Sequence, residues 1–431
     1  MSDETRTLRP ARAAAPSSQD SAARPAPGAR TVWATRLVVA GIVLAALNLR
    51  PAVTSLGALL EEARVDLHMS GTVTGLLTSV PALCFAVFGT TAPRLARRFG
   101  PAAVVCAGMA AITAGLVIRP LAGGAAGFLA ATALALVGIA VSNVLMPVIV
   151  KNYFPDRVGP MTGVYSMALA AGTSLAAAAT VPMTSALGGS WRTGLAVWAV
   201  LAAAAVLPWL ALLRDRAGSG TMPGAAAGRA ADTPAPPITR SPTAWALACF
   251  FGLQATGAYI TMGWMPQIFR DAGVSASAAG VLLAVTMAMG IPLAFVIPRL
   301  AARMRNQGPI VVALGLCGVT GYLGLFLAPA AGAWAWAILL GVSNCAFPLA
   351  LTMIGMRSRT GAGVVRLSAF AQSAGYLISI PGPLLVGVLY QHSGGWTVPL
   401  LLMAGLLVPQ MVAGVFAGRD RTIEDEKRMR D

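Results

Sequence analysis

Residues 142–147 read Ser142-Asn143-Val144-Leu145-Met146-Pro147, and residues 343–348 read Ser343-Asn344-Cys345-Ala346-Phe347-Pro348. A second echo pairs Pro93-Arg94-Leu95-Ala96 with Pro298-Arg299-Leu300-Ala301. Each copy is soon followed by Gly-Pro, at Gly100-Pro101 and Gly308-Pro309. The offsets are 201 residues for the first echo and 205 for the second. Two matches at nearly one offset imply that the chain is a duplicated unit, as parallel repeats are.

What is duplicated follows from the residues between the echoes. The chain of 431 residues is 57% hydrophobic and 11% charged, with a mean hydropathy of +0.73. A soluble domain carries about 25% charged residues. The apolar residues fall in blocks of about 20, the length that crosses a hydrocarbon core as a helix. Twelve such blocks are expected at 37–58, 73–92, 102–118, 125–150, 160–184 and 194–213, then 243–268, 276–298, 309–328, 333–356, 367–390 and 396–417. The expected fold is an all-α membrane protein of twelve transmembrane helices in two pseudo-symmetric six-helix bundles. Residues 36–213 form one bundle and 243–417 the other. Residues 1–35 read as a disordered tail, 214–242 as a polar, Pro/Gly-rich linker and 418–431 as a charged tail.

The net charge is +16. A basic balance can point to nucleic acid, but these arginines sit in short spacers between apolar blocks. With the N-terminus inside, 26 of the Lys and Arg residues fall in inside segments. Only Arg64, Arg119, Arg192 and Arg270 fall outside. That asymmetry marks the inner membrane's cytoplasmic side and puts both termini there. The five cysteines lie singly in apolar blocks, and His68 and His392 fall in expected loops. No disulfide framework, metal-ligand spacing or cofactor motif is read.

Arg50 is the one basic residue inside an expected span. A central arginine costs about 2.5–3.5 kcal/mol to insert, so it should face water or a partner. It could be a counter-ion for an anionic or carbonyl-rich solute. The alternative to that default functional reading is an arginine near the outer end, bound to helix-end carbonyls or to Glu61 or Glu62. Pro51 removes a donor and frees the carbonyl of Leu47. Asn48 and Thr54 flank this break, which is tolerated at depth only where it lines a cavity. No Asp or Glu falls in any expected span. Proton relays through membranes use Asp, Glu or His, so a core relay and a cationic cargo are both disfavoured. Gln254, Tyr259, Gln372 and Tyr376, with Asn48, Thr54 and Arg50, are the expected binding set. Asn143 and Asn344 are expected to gate or to bridge helices, as they occupy equivalent places in the repeat. The embedded Tyr165 could hydrogen-bond a substrate or bridge helices. Gly315, Gly318, Gly321 and Gly324, and the pair Gly159 and Gly163, suggest close helix packing. Pro147, Pro292, Pro348, Pro381 and Pro383 are expected kinks.

The chain resembles the major facilitator superfamily in its six-plus-six plan and in the basic segment Leu95-Ala96-Arg97-Arg98-Phe99-Gly100. The superfamily pattern there is L-A-D-R-x-G; Arg97 replaces its acid, and Ala302 does so in the second copy. Arg94, Arg97 and Arg98 are thereby implied in gating. A closer resemblance is to the cyanate permease and nitroimidazole transporter branch. It is carried by Ala46-Leu47-Asn48-Leu49-Arg50-Pro51, Thr54-Ser55, Gly57, Phe251-Gly252-Leu253-Gln254, Trp264-Met265-Pro266 and Ala346-Phe347-Pro348-Leu349. The resemblance implies a monomeric permease in lipid that moves a small polar or anionic solute by alternating access, with no cofactor. A proton-coupled multidrug exporter would need a membrane carboxylate, and a membrane enzyme or sensor would need a catalytic cluster or an output domain. None of these is read from the sequence.

Overall fold

The structure, a computed structural model, describes residues 29–154, 157–219 and 238–428. Most of the expected N-terminal tail and linker lies outside those residues. Among the described residues, twelve helices are long and apolar enough to span a membrane. The first six are Thr35–Ala58, Gly71–Phe88, Pro101–Leu121, Ala125–Tyr153, Pro160–Ala186 and Trp191–Arg214. The second six are Pro242–Asp271, Ala276–Arg303, Gly308–Leu327, Ala333–Met356, Gly363–Ser393 and Thr397–Ala417. They are called the first to twelfth spans below. Consecutive spans alternate in direction. The face bearing the C-terminal helix Ile423–Arg428 is called the terminal face, and the opposite one the distal face.

The echoed serines explain the repeat physically. A Cβ on Gly108 of the third span would lie 2.4 Å from Ser142 Oγ of the fourth. A Cβ on Gly318 of the ninth would lie 2.5 Å from Ser343 Oγ of the tenth. Both halves therefore cross these helices at a glycine–serine contact, with small residues admitting close approach where lipid offers no hydrophobic drive. Gly315, Gly321 and Gly324 lie in the same way against Met411, Leu340 and Trp336. Gly163 sits at ordinary contact distance from Phe295, and the surroundings of Gly159 are outside the description.

The two halves meet most closely on the distal side. A Cβ on Gly57 would lie 2.0 Å from the Met262 carbonyl oxygen, and one on Gly75 2.8 Å from that of Leu384. Gly71 approaches Gly387, and Gly280 approaches Ala177, within similar limits. Polar contacts join the same face: Arg270 pairs with Glu62 at 2.9 Å, and the Thr72 N–H donates to Gln391 at 3.0 Å.

Several expectations are corrected. The helix of the second span runs on to Phe99, so Arg94, Arg97 and Arg98 stand exposed on its last turns and not in a loop. Its end is set by Gly100, at φ +84°, where L side chains are strained. His392 lies in the last turn of the helix Pro381–Ser393. Arg119, expected in an outer loop, is fully buried in a short 3-10 turn. The charged C-terminal segment is docked. Glu426 accepts from Ser241 Oγ at 2.5 Å and from Thr243, while Glu424 accepts from Ser358 at 2.6 Å. Beneath it, buried Arg357 donates to the carbonyls of Ala417 and Gly418 and to Gln307. The eighth, tenth and eleventh spans break at Met289, Cys345 and Ile380, near Pro292, Pro348 and Pro381. Pro147 sits inside an unbroken helix, and Pro383 in the first turn after a break.

Candidate functional site

The first span is two helices, Ala29–Asn48 and Pro51–Ala58, with Leu49 and Arg50 between them. Pro51 cannot donate to Leu47, so the ladder stops there. Asn48 ties the end of the first helix to its neighbour: its amide donates to Leu44 O at 2.8 Å and to Leu201 O of the sixth span at 3.1 Å. The Leu47 carbonyl points at Gly172 of the fifth span, where a Cβ would lie 2.2 Å away. After the break, the Arg50 carbonyl receives the Val53 and Thr54 N–H groups and the Thr54 hydroxyl at 3.2 Å. The amide of Asn48 and the hydroxyl of Thr54 are thus engaged in holding the break.

Arg50 itself is half-buried. Its guanidinium lies against the hydroxyl of Tyr259, with Tyr376 and Tyr165 in electrostatic range. Tyr165 comes from the first half, while Tyr259 and Tyr376 come from the second, so the cation sits where the halves face each other. The Tyr165 hydroxyl donates to Asn143 Oδ1. That leaves the phenolic lone pairs free to face the cation. Tyr376 stacks on Phe85 at 4.9 Å and 19°, and meets Phe251 edge-on at 5.1 Å. Phe347 extends the aromatic wall at 5.9 Å from Phe251. Gln254 is buried, and its Oε1 finds no partner among the described residues. Gln372 donates to Ser368 at 2.7 Å. Asn344 is half-buried in the last turn before the tenth-span break.

Glu61 and Glu62 do not reach Arg50. Glu61 pairs with Arg64 at 2.6 Å, and that hydrogen bond is the main cause raising the Arg64 pKa. Glu62 pairs with Arg270. The ion pairs among the described residues are these two, Arg192–Asp66 and Arg359–Asp425, so no carboxylate contacts Arg50 there. The seventh helix reaches Asp271, whose carboxylate lies at its distal end and accepts from Gln267, Tyr390 and Trp396. No group of His, Cys, Asp and Glu suited to a metal occurs among the described residues.

Sequence reasoning gave Arg119 no role near the site. Its Nη1 donates to the Ala52 carbonyl at 3.0 Å, and its guanidinium faces the Phe128 ring at 5.8 Å. It therefore braces the segment just behind Arg50. Phe85, Phe251 and Phe347 were also missed as site residues. An apolar aromatic in a membrane span carries no signal of its own, and only the meeting of the second, seventh, tenth and eleventh spans shows their role.

A sequence profile of the Major Facilitator Superfamily matches residues 42–359. An uncharacterized Bacillus subtilis transporter, YycB, is 34% identical over 91% of this chain and 96% of its own length. The 2-nitroimidazole transporter of Escherichia coli is 34% identical over 90% of this chain and 96% of its own. The cyanate transport protein CynX of Escherichia coli is 29% identical over 85% and 94%. A crystal structure of the nucleoside transporter NupG superposes with a TM-score of 0.72 at 13% identity, over 89% of this chain and 99% of that one.

Proposed function

Because the chain belongs to the major facilitator superfamily and is a secondary transporter, not an enzyme, we propose that it moves a small anionic or polar solute past Arg50 by alternating access. The observation that carries this reading is the half-buried guanidinium of Arg50, ringed by tyrosines and touched by no carboxylate among the described residues. A guanidinium binds planar anions through paired N–H donors. Tyr259, Tyr376 and Tyr165 supply hydroxyls around it, and Phe85 and Phe251, buried against the Tyr376 ring, hold that ring beside the guanidinium. Gln254 brings an acceptor whose partner the cargo would supply. Cyanate-like anions, small organic acids and nitroimidazole-like compounds share these features: small size, planarity or linearity, and delocalised charge or dipole.

The basic residues of the terminal face support a cytoplasmic location for that face and for both termini. The closed distal face and half-exposed Arg50 then correspond to an inward-open carrier. Asn48 and Thr54 serve as scaffold of the break, and Asn143 orients Tyr165.

The reading is tested by thermal-shift screening of the purified protein with cyanate, nitrate, small carboxylates and 2-nitroimidazole, in wild type and Arg50→Gln. A ligand that binds the native state raises Tm. The expected result is a saturable rise for one or more small anions, lost in Arg50→Gln. Equal rises in both proteins would remove Arg50 from the site.

A further inference from the structure

We propose that this carrier is an obligate exchanger: without a bound anion, Arg50 holds it open on one side and prevents reorientation. The inference rests on the reading of Arg50 as the anion site and adds the mode of transport.

The charge inventory leads to it. Inside the spans, away from their ends, the chain has no Asp, Glu or His. Among the described residues the titratable groups that act electrostatically on Arg50 are phenols, Tyr259, Tyr376 and Tyr165. An arginine stays protonated at any physiological pH, and a tyrosine, with a reference pKa of about 10, stays neutral. The site therefore keeps a positive charge that no proton transfer at neutral pH can remove. Phenol dipoles ease that charge but do not neutralise it.

Geometry gives the charge a consequence. The distal side is sealed by backbone-to-backbone approaches at Gly57, Gly71, Gly75 and Gly280, and by the Glu62–Arg270 pair. The residual exposure of Arg50 therefore opens toward the terminal face. To reach the opposite state the terminal side must close first, and Arg50 passes through an occluded arrangement. Burying a lone cation away from water is costly, and burying it beside an opposite charge with good hydrogen bonds is much less so. A monovalent anion on the guanidinium brings the moving unit near neutrality. The loaded carrier can occlude; the empty one is held back. Each inward step must then be followed by an outward step that carries another anion. Arg119 does not alter this balance, as it is already fully buried on the Ala52 carbonyl in the present state.

The lock can be read without knowing the natural cargo. Spin labels on His68→Cys and His392→Cys, exposed distal positions of the two halves, report the distal gap by pulsed electron resonance. The protein sits in nanodiscs, first in HEPES buffer with no small anion added and then with cyanate, nitrate or benzoate. Without added anion, the Arg50 protein should show one short distance. Arg50→Gln should gain a longer, distal-open population by at least about tenfold with no ligand. Arg50→Lys, which keeps the charge, should stay locked. Two populations in the empty Arg50 protein would overturn the proposal, as would an Arg50→Gln protein that is folded and still locked. Release by Arg50→Gln, with no anion of the panel opening the Arg50 protein, would uphold the lock and count against the cargo reading alone.

Discussion

Glu62 of the first half and Arg270 of the second meet at 2.9 Å on the distal face, and this is the ion pair that joins the two halves among the described residues. It lies beside the tight glycine contacts that bring the backbones together. The side chains are 34% and 23% exposed, so the pair is partly screened and should contribute about 0.2–1 kcal/mol. Glu62→Gln is therefore expected to raise the distal-open fraction by up to about fivefold. The exchanged pair, Glu62→Arg with Arg270→Glu, should restore the closed fraction. Distance measurements across the distal face check both outcomes, and no change in either variant would show that the pair does not hold the gate.

Gly57 and Gly172 separate gating from folding. A Cβ on Gly57 collides with Met262 across the halves, whereas one on Gly172 collides with Leu47 inside the first half. Gly57→Ala should disfavour the distal-closed state and slow transport, with little loss of Tm. Gly172→Ala should lower Tm by overpacking, which costs about 1–3 kcal/mol. The opposite pattern in thermal denaturation would contradict this division.

Asn48→Ala removes two buried amide hydrogen bonds and leaves the Leu201 carbonyl without that donor. A loss of about 1–3 kcal/mol in stability is expected, with anion affinity changed far less than by Arg50→Gln. A variant with native Tm and abolished binding would instead place Asn48 on the cargo.

Transport should be nearly flat from about pH 6 to about pH 8, because no Asp, Glu or His lies inside the spans, away from their ends, to titrate beside Arg50. On the terminal face, hydrogen bonds from Thr422 hold Asp425 below its usual range. A depressed carboxylate contributes stability above its unfolded pKa, near 3.9, and loses it as pH falls through the lower folded value. Release of the C-terminal helix through Asp425 is thus expected only in acid below that range. A steep change in rate between pH 6 and pH 8, under a clamped cargo charge, would require a titrating group in the pathway.

The residues most legible in the sequence were those whose physics is local. Apolar block length marked the twelve spans, and Pro51 marked the break beside Arg50. The echoed Ser142 and Ser343 marked the halves, because each half repeats one glycine–serine crossing. Partnerships formed across spans were not legible. Nothing in the sequence says that Tyr165 meets Asn143, that Asn48 reaches Leu201, or that Arg119 turns inward to Ala52. The count that placed Arg119 in a loop used its position relative to an apolar block. The side chain's length and its cation–π contact with Phe128 let it enter the core. The C-terminal segment reads only as a charged tail, and nothing local shows that its acids find donors at Ser241, Thr243 and Ser358.

The central claim is that Arg50 holds an anionic or polar solute by its charge. Its most direct test is uptake of the strongest thermal-shift ligand, radiolabelled, into proteoliposomes preloaded with the same unlabelled compound. Arg50→Gln should abolish counterflow, and Arg50→Lys should keep a fraction of it, as the charge remains but the paired donor geometry is lost. Counterflow at wild-type rates in both variants would contradict the account.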